Sequence, residues 1–130
     1  MGRTWLTYVS VFALLACGEQ ALLEGEVVST VSDPENVVTV SVTREGHGAT
    51  VPWVYRVYVQ PTTGDGAHEL LRADKAQDLT AAWLKPDTLR ISMKCGRIFM
   101  FQNFFDVMTV DGALKKRITV QLDNGGLCAA

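Results

Sequence analysis

A chain of 130 residues fits a single domain, and a domain of that size buries a working core without many cross-links. Apolar residues make up 48% and charged residues 20%, a balance that excludes a disordered chain. The formal charge of −2 at pH 7 excludes the broad positive footprint of a nucleic-acid binder.

Met1 to Ala16 reads as an export signal. Arg3 gives the short positive start, and Trp5 to Ala16 gives an apolar stretch of signal-peptide length. At a helical rise of about 1.5 Å per residue that stretch covers roughly 18 Å, too little for a hydrocarbon core of about 30 Å. Leu14-Leu15-Ala16-Cys17 resembles the bacterial lipobox. The resemblance implies cleavage before Cys17, diacylglycerol on its thiol, and a protein lipid-anchored to a membrane of the cell envelope, on the periplasmic or outer-surface side. The alternatives are an ordinary secretory signal with Cys17 incidental, and an uncleaved anchor. Gly18 stands where an Asp resembles an inner-membrane retention signal, so transfer to an outer membrane is allowed.

Residues 17–36 follow as an acidic tether carrying Glu19, Glu24, Glu26, Asp33 and Glu35, and ending in Ser32-Asp33-Pro34, where proline disfavours regular structure. As a flexible coil it would hold the domain about 20 to 25 Å from the bilayer. Leu22, Leu23, Val27 and Val28 are more apolar than a linker requires, and part of the segment can dock on the domain or form a short element.

From residue 37 the pattern has period two, and residues 37–122 read as a β domain. Val38, Val40 and Val42 alternate with Thr39, Ser41 and Thr43. Trp53, Tyr55, Val57 and Val59 share one face of the clearest strand, with Val54, Arg56 and Tyr58 on the other. Pro61 to Gly66 supplies turn residues, after which His68 to Arg72 returns as a hairpin partner. Leu79 to Leu84 and Thr88 to Met93 flank the Lys85-Pro86-Asp87 turn, with Leu89, Ile91 and Met93 facing inward. Arg97 to Phe101 comes next, and Ile118, Val120 and Leu122 mark the last strand after the Asp111-Gly112 turn. Helical periodicity is weak outside Asp74 to Ala82, and 123–130 reads as a C-terminal tail. The expected fold is all-β: a small antiparallel sandwich or curled sheet of about six or seven strands.

Three cysteines are an odd number for an oxidising compartment. With Cys17 assigned to lipid, Cys95 and Cys128 either pair, closing a loop of about thirty residues worth roughly 3 to 4 kcal/mol, or remain free thiols. Neither belongs to a close pair, and both histidines are distant in sequence, so no metal and no cofactor is implied. His68-Glu69 begins like a zinc-protease helix motif, but Arg72 stands where the second histidine belongs. His47, between Gly46 and Gly48, can act as a base if a carboxylate such as Glu45 or Asp87 reaches it; a solvated loop histidine is the plainer alternative.

Phe99, Phe101, Phe104 and Phe105, with Trp53, are mostly core fillers by alternation, yet Phe99 and Phe101 oppose Ile98 and Met100 across one strand. That strand is either buried on both faces or exposes an apolar patch fit for a partner. Lys115-Lys116-Arg117 lies close to it in sequence, either solvated or touching anionic lipid.

The stretch from Gly48-Ala49-Thr50, through Trp83 to Ile91, to Gly96-Arg97-Ile98-Phe99 resembles a loosely defined group of small bacterial lipoproteins and exported proteins. Their Cys-Gly-Ala-Thr segment has His47 in place of the cysteine here, and the resemblance implies no known activity. Two function classes follow: a membrane-tethered, non-catalytic binding module with a protein partner in the envelope, or a small envelope hydrolase using His47.

Overall fold

The computed structural model describes residues 23–62 and 66–129. The leader, Cys17, the first part of the tether and the centre of the Pro61–Gly66 turn lie outside the described residues. The fold is all-β, with nine strands and no helix among them: β1 (Glu26–Ser32), β2 (Val38–Glu45), β3 (Val54–Pro61), β4 (His68–Gln77), β5 (Thr80–Lys85), β6 (Thr88–Met93), β7 (Cys95–Phe101), β8 (Phe104–Met108) and β9 (Leu114–Asn124). They form a five-stranded sheet in the order β1-β2-β3-β4-β7 and a four-stranded sheet in the order β5-β6-β9-β8.

Three expectations change. The helical hint at Asp74 to Ala82 is the end of β4 and the start of β5, and a positive-φ residue, Asp78, turns the corner between the sheets. All pairing is antiparallel except β6 with β9, which runs parallel from Thr88↔Thr119 to Met93↔Asn124. The strand number exceeds the expected six or seven because residues 26–32 and 104–108 pair as the further strands β1 and β8. Residues 26–32 of the tether lie on β2 as an edge strand, with a bulge between Val27 and Ser29, and residues 123 and 124 of the tail finish β9. Both owe their form to a partner strand, which period-two patterning alone does not reveal.

Alternation places the core. Val38, Val40, Val42, Val57, Val59, Leu71 and Ala73 from the larger sheet meet Leu89, Ile91, Met93, Phe105, Val107, Ile118 and Val120 from the smaller one. Each fully buried Val, Leu or Ile contributes about 1.5 to 3 kcal/mol relative to exposure. β1 has a different character: nearly all of it is exposed, and from it only Val31 packs against the core.

Candidate functional site

The sandwich has two chemically different ends, set by the direction of β2. Its Glu45 end receives the chain from the N-terminal side, and its Val38 end lies seven residues away, about 23 Å at the usual strand rise.

At the first end, Gly25 brings the chain onto the sheet with φ 91°, so close that a Cβ there would lie 2.7 Å from the Arg44 carbonyl oxygen. Only glycine suits that combination of backbone and space. Glu24 then meets Arg56 at 3.1 Å, and Arg56 also donates to Glu45 Oε2 at 2.7 Å and approaches Glu69 at 3.6 Å. The Arg56 side chain is only 10% exposed, so this cluster compensates a nearly buried guanidinium. The Arg56 hydrogen bond outweighs burial and, with the charges of His47 and Arg56, holds the Glu45 carboxyl below its usual range. His47 Nε2 stands 3.6 Å from that carboxylate, outside hydrogen-bond reach. Glu45 is thus a weakened base already occupied by Arg56. Asp87 lines a cleft at the opposite end.

Trp53 sits at the same end as Glu45, immediately before β3. Its ring lies against Gly46, where a Cβ would come within 2.7 Å, and under the Arg44 guanidinium at 4.8 Å. It is nevertheless 47% exposed, as is Val51 (46%) two residues before it.

The other end is built on Asp33. Its fully buried carboxylate accepts hydrogen bonds from the backbone N–H groups of Val37 at 2.6 Å, Val38 at 2.9 Å and Glu35 at 3.2 Å. Lys116 Nζ, from β9, reaches it at 3.2 Å and Glu35 at 3.6 Å. Burial works to raise the Asp33 pKa, but these donors outweigh it and hold the carboxyl below its usual range. Around this pair Glu35, Lys85, Pro86, Asp87, Lys115 and Lys116 enclose a cleft of about 480 Å³. Among the described residues neither Lys85 nor Lys115 makes an ion pair. The basic run at Lys115 therefore contributes to the end away from the N-terminal side.

The aromatic residues do not assemble into one patch. Phe105 is 8% exposed, within the core and 5.0 Å from the His68 ring, and Phe101 packs partly against the core. Phe99 (55% exposed) and Phe104 (41% exposed) point outward from different sheets, each under an arginine at 4.9 Å, Arg97 and Arg117 respectively. A bulge in β4–β7 pairing turns Phe99 away from the core while Ile98 and Phe101 pack toward it. The expected single interaction surface is thus three separated aromatic–arginine pairs.

Cys95 and Cys128 are joined by a disulfide. The bond fastens the chain beyond β9 to the corner between β6 and β7, where Gly96 N–H also donates to the Gly126 carbonyl at 2.9 Å. Among the described residues no group of three or more His, Cys, Asp or Glu side chains is arranged to hold a metal ion. Sequence reading missed Asp33 and Arg56 as organising residues; the Asp-Pro turn at 33–34 was the available signal for the first, and a lone arginine inside a strand for the second. No family model, curated protein or solved structure matches this chain.

Proposed function

We propose that this chain is a non-catalytic binding lipoprotein of the bacterial cell envelope, anchored by lipid on Cys17 and offering its lysine-lined cleft to a protein partner. The observation that carries the reading is the polarity of the domain. β1 begins nine residues past Cys17 at one end, and the cleft opens at the other, so an anchor at Cys17 leaves the cleft facing away from the membrane. Lys85 and Lys115, without carboxylate partners among the described residues, suit acidic side chains on that partner, while Pro86 adds an apolar contact. The resemblance to small exported lipoproteins supports the same reading. The hydrolase alternative gains no support from a His47 beyond hydrogen-bond reach of an already occupied Glu45.

Labelled fatty acid should enter the wild-type protein and not Cys17→Ala; equal labelling, or none, removes the anchor. Cross-linking in intact envelopes should give a discrete adduct that Lys85→Glu with Lys115→Glu abolishes. An adduct unaffected by both reversals places the partner elsewhere.

A further inference from the structure

We infer that the Trp53 end of the sandwich rests on the bilayer interface, with Trp53 and the exposed Val51 two residues before it as its apolar contacts, fixing the orientation of the domain. The inference rests on the proposed lipid anchor and adds to it a second, non-covalent membrane contact. Leu23 lies six residues past Cys17, a separation of at most about 21 Å when extended and about 13 Å as a coil. The chain meets the domain at Gly25, whose close approach to Arg44 fixes it at the Trp53 end. Because β1 takes residues 26–32 out of the tether, the stretch of chain between Cys17 and the domain is much shorter than a 17–36 linker would be. An interface lying within that reach meets Trp53 before any residue of the cleft.

The surface chemistry agrees. Trp53 is held in a fixed pose by Gly46 and Arg44 yet leaves almost half its area to solvent, an arrangement with no use in the core of the domain. Indole prefers the zone between headgroups and acyl chains, where its ring is apolar and its N–H remains hydrated. Val51, two residues earlier in the chain and 46% exposed, extends the apolar area. Each arginine at this end is paired: Arg44 with Glu26 at 3.8 Å, Arg56 with Glu24, Glu45 and Glu69, and Arg72 with Glu69. With Glu24, Glu26, Glu45 and Glu69 against Arg44, Arg56 and Arg72 there, the end has no net positive charge, anionic lipid exerts no pull, and the contact is to a zwitterionic interface.

The test uses the acylated, processed protein in phosphatidylcholine vesicles, with and without acyl-chain bromination. Processing removes Trp5, leaving Trp53 and Trp83; Trp83 lies on β5, two residues from Lys85 of the cleft. In Trp83→Phe, bromination should lower Trp53 emission about two-fold or more, while in Trp53→Phe the Trp83 emission should change by less than about a tenth. Wild type minus Trp53→Phe gives the same quantity with Trp83 in place. Substituting phosphatidylglycerol for part of the lipid should leave the ratios unchanged. Equal quenching of both tryptophans, or none of Trp53 in protein that carries lipid and floats with vesicles, overturns the orientation and leaves the anchor standing. Protection of Trp53 by dimers instead of lipid assigns the surface to a second copy and also overturns it. A protein that carries no lipid and does not float overturns both.

Discussion

Asp33 shows how one side chain can organise an end of a sandwich. A proline follows it, so the chain must turn, and its carboxylate satisfies three N–H groups that the turn leaves without ladder partners. Asp33→Ala should strand those donors and Lys116 together, lowering stability by about 3 kcal/mol in chemical denaturation, whereas Asp33→Asn should lose less because one acceptor remains. Arg56 plays the complementary part at the other end, where a nearly buried cation sits among Glu24, Glu45 and Glu69. Arg56→Ala should cost about 3 kcal/mol, again read by denaturation, since it leaves the carboxylates facing one another. The period-two pattern placed Arg56 opposite Val57 correctly but could not foresee its burial. Alternation says which face a residue takes, and what covers that face comes from distant segments such as Glu24.

Among the elements, β2, β3, β6 and β9 were legible because each alternates apolar and polar residues in a way only a half-buried strand rewards. β1 was read as part of a tether, with Val27 and Val28 allowing a docked or short element there. Its composition differs little from a linker, and its order comes from hydrogen bonds to β2 rather than from a buried face. The parallel β6–β9 pair was likewise hidden, since partner choice leaves no trace in the pattern of either strand. The disulfide closes a sequence separation of 33 residues across this region. Removing it in Cys95→Ala with Cys128→Ala, or by reductant, should lower stability by about 3 kcal/mol, with a matching fall in melting temperature. Unchanged melting under full reduction would show that the bond contributes nothing.

For the molecule as a whole, four carboxylates share one electrostatic bias. Hydrogen bonds from Arg56, Arg97 and Arg117 hold Glu45, Asp74 and Asp106 below their usual range against opposing burial. Asp33 joins them through its donors, against the larger opposing effect of burial. A carboxyl whose folded pKa is depressed stabilises the fold fully above its ordinary value, here 3.8 for Asp and 4.5 for Glu, and loses that contribution as pH falls through the depressed value. Melting temperature should therefore be flat with respect to these groups between about pH 7 and pH 5 and fall steeply below about pH 4. Asp33→Asn should make that fall shallower. A melting temperature that rises on acidification would contradict the ion-pair assignments.

By itself the sequence determined the class of fold, the inward-facing residues of the main strands, and the turn at Lys85-Pro86-Asp87, because strand periodicity and turn chemistry are local properties carried by neighbouring residues. Tertiary structure decided the rest. It divided the aromatic residues among three places, took β1 out of the tether, brought Asp33 to Lys116 across 83 residues of chain, and set Trp53 and the cleft at opposite ends. These depend on which strands pair and how far each sheet overlaps the other, relations between segments distant in sequence that no local pattern encodes.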